Sequence, residues 1–389
     1  MKLQLPIKPH INQIDIINSR TRFNVCVAGR RFGKTEAFKI RAIQRALYKR
    51  VWWIMPTYNT GQRIFRDFEN IFRTMTGVYI NKSERLIQFP SGGFLSVKSA
   101  DSELRGQGLD HAIFDECAFI DGNVFPFIIR PMLLESKGSA DFLSSTNGRN
   151  WFFELYQNGL DPEQPNWKAW HFTSYDNPMI DHDELEDIKR NTPERVFRQE
   201  YMAEFLDDGG AVFRNLRACI QPAPENAKRV AFGVDWGRAN DYTVVVAIDV
   251  DTGHVVEMDR FNQIDWTLQR GRLNAMYQRL KPFTILAEQN SIGDPNIEEL
   301  RKMGLPVKPF KTTAQSKQEI INSLALAFEQ ESIGIPDNQI LLNELQAFSI
   351  ERLPSGNYRY TAPNGMHDDT VIALALANKA RTIPARVFI

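Results

Sequence analysis

The chain is poor in cysteine, in unbalanced charge and in long apolar runs, and each shortage excludes something. Its three cysteines, Cys26, Cys117 and Cys219, lie far apart and make neither a metal-ligand pair nor a disulfide framework. That fits a reducing cytoplasm. Cys26 and Cys117 sit in or beside apolar runs and are expected in the core. No stretch reaches the roughly 18 apolar residues of a membrane-crossing helix. Residues 1–10 carry Pro6 and Pro9 and lack the apolar run of a signal peptide. Repeats and low-complexity segments are absent. Formal net charge is +0. A stable binder of polyanions is usually basic overall, so nucleic-acid contact here must use local patches or cations, and suits a partner held transiently.

What is present points to two cores, since 389 residues exceed the roughly 100–200 of a usual domain. Apolar runs at 23–28, 51–55, 111–114 and 141–145 read as strands. Residues 34–48 carry Phe38, Ala42, Ile43, Ala46 and Leu47 at helical period. This alternation predicts a mostly parallel α/β sheet. From Asn177-Pro178 the chain turns charged and helical. Asp207-Asp208-Gly209-Gly210 and Gln221-Pro222-Ala223-Pro224 read as connecting chain. The expected division is a first domain at 1–206, with a helical linker subdomain at about 176–206, a connection at 207–229 and a second domain at 230–389. The second half reads as strands 231–234, 243–249 and 253–259 in an antiparallel meander, helix 266–280, strand 284–287 and further helices. That order is the order of an RNase H-like mixed α/β core.

Ala28-Gly29-Arg30-Arg31-Phe32-Gly33-Lys34-Thr35 lies between a strand and a helix, where backbone N–H groups and a helix N-terminus face phosphates. Lys34 is placed to reach the β and γ phosphates of ATP, and Thr35 to hold Mg²⁺. Arg30 and Arg31 are further candidates for phosphate contact. His111-Ala112-Ile113-Phe114-Asp115-Glu116 ends a strand in two acids: Asp115 for Mg²⁺ and Glu116 for the attacking water. Arg105 is either a surface charge or an arginine finger acting on a neighbouring subunit's nucleotide. Ser144-Ser145-Thr146 ends another strand, either sensing the γ phosphate or capping the next segment. Gln13, just upstream of the first strand, is a candidate reader of adenine.

A second set of acids lies beyond the boundary. Asp235, beside Gly237, ends a strand; Asp241 follows in the hairpin connection; Glu288 ends another strand; Asp368-Asp369 opens an apolar helix. Acids from two strands and a helix start suit two Mg²⁺ or Mn²⁺ ions placed to cleave a phosphodiester. Asp369, inside the first turn, is favoured as the ligand, with Asp368 as helix cap or outer support. His367 either assists a metal-bound water or faces solvent, the latter being favoured. Lys311 and Lys317, near Thr312 and Thr313, form a basic segment that reads either as a DNA contact or as a solvated helix start.

These residues together resemble the phage large terminase family, over nearly the whole chain. The resemblance rests on the Gly-Arg-Arg-Phe-Gly-Lys-Thr loop and Trp53-Ile54-Met55-Pro56-Thr57-Tyr58. It continues through Leu104-Arg105-Gly106, Asp115-Glu116, Ser144-Ser145-Thr146, Asp176-Asn177-Pro178, Gln199-Glu200-Tyr201, Glu204-Phe205 and the second set of acids. Ala28 departs from the usual first glycine of the loop. The resemblance implies a P-loop ATPase driving double-stranded DNA into a procapsid and an RNase H-like endonuclease cutting concatemers. It further implies Gln13 as adenine reader, Glu116 as catalytic acid, Arg105 as trans-acting finger, Ser144, Ser145 and Thr146 as coupling motif, and Asp235, Glu288 and Asp369 as nuclease ligands. Implied partners are a small terminase subunit, the portal protein and further copies of the chain in a ring, expected as a pentamer. The implied location is host cytoplasm, with transient docking on the procapsid and absence from the mature virion. A helicase with attached nuclease would need a second motor core; a transposase-like enzyme would leave the nucleotide loop unexplained; a passive capsid component would leave both acid sets unexplained.

Overall fold

Strands apolar along their whole length form here because helices cover the sheet on both faces. The computed structural model describes residues 8–102, 104, 108–206, 212–237, 241–289, 293–352, 358–362 and 367–383. They cluster into two units, one built mainly of Met1–Arg190 and Glu194–Asp208, the other of Gly209–Arg352 and Asn357–Ile389. Among the described residues no helix is long and apolar enough to cross a membrane.

The first unit is an 8-stranded sheet: β1 (Phe23–Ala28), β2 (Arg50–Met55), β3 (Tyr79–Asn81), β4 (Leu86–Gln88), β5 (Phe94–Ser99), β6 (His111–Asp115), β7 (Ser139–Ser144) and β8 (Trp167–Phe172), in the order β3-β4-β5-β2-β6-β7-β1-β8. From β5 to β8 all pairs are parallel, while β3 and β4 add an antiparallel extension. One face packs Phe38, Trp53 and Phe68, the other Val25, Phe114 and Phe142. Val27 pairs with Ser144 and Asp115 with Leu143. The ends of β1, β6 and β7 therefore share the carboxyl edge of the sheet, where open α/β folds place ligands. Strands β3, β4, β5 and β8 were not expected. Their runs are short or mixed, and β3 and β8 lie at the sheet edges, which accept polar positions that a central strand would not.

The second unit holds a 5-stranded mixed sheet, β9 (Val230–Asp235), β10 (Thr243–Asp249), β11 (Val255–Phe261), β12 (Thr284–Glu288) and β13 (Val307–Phe310), in the order β11-β10-β9-β12-β13. The hairpin of β14 (Ser349–Arg352) and β15 (Tyr358–Thr361) stands apart. The meander is antiparallel as expected, with β12 parallel to β9. β11 begins at Val255 rather than 253, because Asp249 accepts from the N–H and hydroxyl of Thr252 and Gly253 turns at φ 75°. The described part of the expected connection, 212–229, is no free linker: Phe213 and Cys219 are buried in this unit's core. All three cysteines are buried.

Beneath the first sheet lies a buried ionic cluster. Arg41 grips Asp141 through Nε at 2.8 Å and Nη2 at 2.9 Å, and its Nη1 donates to the carbonyls of Ile16, Ile17 and Ser19. Asn24 Nδ2 donates to Asp141 Oδ1 at 2.7 Å, and His111 Nε2 lies 3.0 Å from Asp141 Oδ2. Burial opposes the Asp141 charge, but Arg41 and His111 outweigh it and hold the carboxyl well below its usual range. His111 is pushed down to about 4, chiefly by burial.

Removing one partner strands a buried charge, so Asp141→Ala is expected to lose about 3–5 kcal/mol in denaturant unfolding. An unchanged midpoint would show the pair to be dispensable. Between pH 6.5 and about 4 the unfolded chain takes up a proton that folded His111 refuses, so stability should fall as pH falls across that window.

Two candidate active sites

In the first site β1 feeds the loop and the helix Lys34–Ala46 leaves it. Two loop residues have left-handed backbone, Arg31 at φ 64° and Gly33 at φ 94°. Phe32 pins the loop, buried and stacked on Phe172 with ring centroids 4.4 Å apart. Further fastenings come from the segment after β8. Ser174 Oγ donates to the Arg30 carbonyl at 2.6 Å and Asn177 Nδ2 to the Arg31 carbonyl at 2.7 Å. The Arg30 N–H donates to the Glu200 carbonyl at 2.7 Å. A Cβ on Gly29 would meet the Tyr201 carbonyl oxygen at 2.3 Å, so only glycine fits there. The guanidinium of Arg30, expected at phosphate, is engaged elsewhere: its Nε donates to the buried Glu200 carboxylate at 2.7 Å. Arg31 is exposed.

Lys34 Nζ lies 3.9 Å from Glu116 Oε1, and Thr35 Oγ1 donates to Asp115 Oδ2 at 3.5 Å. Glu116 adopts φ 51°, an uncommon backbone for a non-glycine residue that turns its carboxylate off the strand end. Burial and then the Glu116 charge raise Asp115 to about 7, with Lys34 opposing. A nearby cation would be needed to keep it ionised, which fits a site for magnesium nucleotide. Gln13 is buried and bridges locally, donating to the Gly33 carbonyl at 2.8 Å and accepting from the His10 N–H at 2.9 Å. Ser144, Ser145 and Thr146 are buried at the same edge, and Thr146 Oγ1 donates to the carbonyls of Gln199 and Glu204. Arg105 lies outside the described residues.

The second site forms where β9, β12 and the helix Asp369–Arg381 converge. The helix sits hard against β9 because Gly233 has no side chain; a Cβ there would meet the Ala373 carbonyl oxygen and the Ala377 nitrogen, each at 2.2 Å. That approach carries Asp369 to Asp235. Asp235, Glu288 and Asp369 are all buried and line one cleft of about 260 Å³, with Asp241, Asp368 and Lys317 at its walls. Burial, a hydrogen bond with Glu288 and the charges of Glu288, Asp369 and Asp368 push Asp235 well above the usual carboxylate range. Burial raises Asp369 to about 6, opposed by the Tyr242 N–H that donates to its Oδ2 at 3.1 Å. Buried carboxylates crowded together are a donor set that hard divalent cations satisfy. Asp241, His367 and Asp369 also offer ligand atoms within 4.8 Å of one another.

The structure bears on two residues whose roles the sequence left open. Asp368 occupies the cap position, but its side chain makes no cap hydrogen bond and pairs instead with Lys317 Nζ at 3.2 Å. His367 does not simply face solvent: its Nδ1 lies 3.5 Å from Asp369 Oδ2. The helix start is held by a residue that sequence reading missed. Buried Glu344 accepts from the Thr370 N–H at 2.9 Å and its hydroxyl at 2.5 Å. Arg260 pairs with Glu344 at 3.4 Å and stacks on Tyr242 at 3.3 Å, closing a ring around Asp369. No local signal marks Glu344, which sits in an ordinary amphipathic helix.

Residues 25–218 match the family model described as terminase large subunit, T4likevirus-type, N-terminal; residues 232–379 match that of the terminase RNaseH-like domain. The chain is 30% identical to the terminase large subunit of Thermus virus P23-45, covering 96% of this chain and 87% of that protein. Against the terminase large subunit of Thermus phage G20c identity is 28%, again covering 96% of this chain and 87% of that protein. In fold it is similar to a large terminase from another thermophilic bacteriophage, with TM-score 0.60 at 16% identity, covering 95% of this chain and 98% of that chain.

Two outcomes follow from the second site. Folded Asp369 keeps its proton up to about 6 against the ordinary 3.8, so metal-free stability should fall as pH rises between those values. At pH 7 in EDTA, Asp369→Asn should therefore melt higher, by up to about 3 kcal/mol of stability, and lose the stabilisation that Mn²⁺ gives the native chain. A lower melting point in EDTA would contradict this. Glu344→Ala should weaken Mn²⁺ binding about 10–100-fold in calorimetry, with partial recovery in Glu344→Gln.

Proposed function

The chain belongs to the large terminase family, an ATPase unit followed by an RNase H-like nuclease unit, and on that premise we propose how each works. The observation that carries the reading is the convergence of two separate acid sets, Asp115 with Glu116 beside Lys34, and Asp235 with Glu288 and Asp369.

In the first unit, taken as 1–206 with its helical part at about 176–206, the loop from Gly29 to Gly33 receives the ATP phosphates. Lys34 neutralises the β and γ groups, and exposed Arg31 is the loop cation that adds to it. Thr35 and Asp115 would hold Mg²⁺, and Glu116 takes the proton of the attacking water. Gln13 reads adenine from a position already bonded to the loop. Arg105 completes the site of a neighbouring copy. Coupling runs through the segment at 199–204: Glu200 holds Arg30 of the loop, and the backbone on either side of it accepts from Thr146. Ser144, Ser145 and Thr146 thus share a fastening with the phosphate loop, and a change at one reaches the other. This supports hydrolysis moving a DNA-gripping surface, driving double-stranded viral DNA into a procapsid.

In the second unit, taken as 230–389, Asp235, Glu288 and Asp369, with Asp368 adjoining, would hold two Mg²⁺ or Mn²⁺ ions. Bound there, the ions supply an activated water and neutralise charge on the leaving oxygen. The protein's own part is to hold the carboxylates: Gly233 sets the helix depth, Tyr242 orients Asp369, and Glu344 anchors the helix start. Partners follow from the same reading: concatemeric DNA, a small terminase subunit, the portal, and further copies in a ring, a pentamer, working in host cytoplasm while docked on the procapsid and leaving before the virion matures.

Plasmid cleavage with Mn²⁺ and ATP turnover, measured on the same preparations, test the division of labour. Asp235→Ala should lose cutting and keep ATP hydrolysis, while Lys34→Ala should do the reverse. Loss of both in either variant would count against two independent sites. Glu116→Gln should bind ATP yet turn it over about 10²–10⁴ times more slowly, and packaging at the native rate by that variant would remove Glu116 from the mechanism.

A further inference from the structure

The helix Lys34–Ala46 meets the phosphate loop at its N-terminus, and a second polar cavity opens at its other end. This cavity, about 400 Å³, lies where that helix and the helix Ile11–Asn18 finish, and Ser19, Arg20, Gln44, Arg45, Tyr48 and Lys49 line it. Arg45 stands eleven residues beyond Lys34, about 16 Å along the helix axis, so the cavity is distinct from the nucleotide loop.

Its charge is one-sided. Three cations line it and no carboxylate does. The acids nearby are committed elsewhere: Asp141 is buried against Arg41 and His111, and Asp110 holds Arg50 at 3.0 Å. Helix C-termini normally present negative carbonyl ends, which would disfavour an anion. Here several of those carbonyls are already engaged. Arg41 Nη1 occupies the carbonyls of Ile16, Ile17 and Ser19, and Ser91 Oγ donates to that of Leu47. Arg45 is half-buried, and among the described residues its guanidinium has no hydrogen-bond or ion-pair partner. Burial lowers its pKa, with Arg41 adding to the shift and Asp141 opposing it. A half-buried guanidinium facing a cavity that holds only like charges and neutral donors is matched by an anion with several acceptor oxygens.

We propose that this cavity binds phosphate groups of a DNA backbone, with Arg45 as the inner anchor and Arg20 and Lys49 at the mouth. Ser19, Gln44 and Tyr48, a residue 76% exposed, supply neutral donors of the kind that fix phosphate without reading sequence. The helix that takes nucleotide phosphate at one end thereby contacts a polyanion at the other. The anion site itself does not depend on the assignment of the nucleotide loop.

The test uses the full-length protein in EDTA, which silences the metal-dependent site, and a labelled duplex of about 20 base pairs followed by anisotropy at several salt concentrations. Arg20→Ala with Lys49→Ala removes two surface cations without touching the core. It should weaken binding at 0.1 M salt by more than about tenfold and flatten the slope of log K against log salt by about 2, with ATP turnover unchanged. Arg45→Gln should act in the same direction. Sodium tripolyphosphate, titrated in parallel, separates the sources: wild-type binding that the double variant loses, with duplex affinity unaltered, would support the phosphate site and reassign it to a free polyphosphate. If neither duplex nor tripolyphosphate responds to either variant, the proposal is overturned.

Discussion

A strand covered on both faces can offer a polar side chain to solvent only where it ends. That constraint organises both units. β1, β6, β7, β9 and β12 are buried along almost their whole length, and the residues able to do chemistry stand at their carboxyl ends or just beyond: the loop after Ala28, Asp115 with Glu116, Ser144 to Thr146, Asp235 and Glu288. Parallel pairing brings those ends to one edge. In the first unit the register of β1, β7 and β6 lines up Val27, Ser144 and Asp115 without any help from the loops. The groups at those ends inherit the rigidity of the sheet.

The same burial makes each site electrostatically unfavourable for its own carboxylate charges. Asp115 rises to about 7 and Asp369 to about 6, with Asp235 higher than its usual range. In each case burial is the largest cause and a neighbouring carboxylate adds to it. Contrast Asp141, equally buried, whose charge is kept by Arg41 and His111. Buried acids here thus divide into one kind whose charge is balanced within the chain, which supports the fold, and another crowded by like charges, the pattern of a functional site.

Mechanical linkage in the first unit is as local as the chemistry. The phosphate loop is tied less to its own helix than to residues far along the chain: Ser174, Asn177, Glu200 and Tyr201. Because Thr146 donates to the backbone at 199 and 204, the loop and the end of β7 are fastened to the same short segment. A charge-assisted bond between Arg30 and Glu200 adds to these ties and engages an arginine whose position in the sequence suggested phosphate contact.

Much was legible along the chain because it depends on local rules. Glycines and a lysine between an apolar strand and a helix mark a phosphate loop, since only that backbone can aim several N–H groups at one anion. Acids at strand ends are visible because alternation stops there. The strand-helix order of both halves reads the same way. What no local rule carries is the contact between distant segments. That Gly233 lets a helix press close enough to bring Asp369 to Asp235 depends on packing across well over a hundred residues. Glu344, rather than the Asp368 side chain, holds the start of that helix, and half-exposed His367 stands 3.5 Å from Asp369, because segments distant in the chain meet there. Arg30 and Arg31 are adjacent and chemically alike; one is a structural tie and the other is exposed. Residue type and spacing named the groups able to do chemistry. Tertiary packing decided which of them meet, because burial and charge partners are properties of three-dimensional neighbours, not of sequence neighbours.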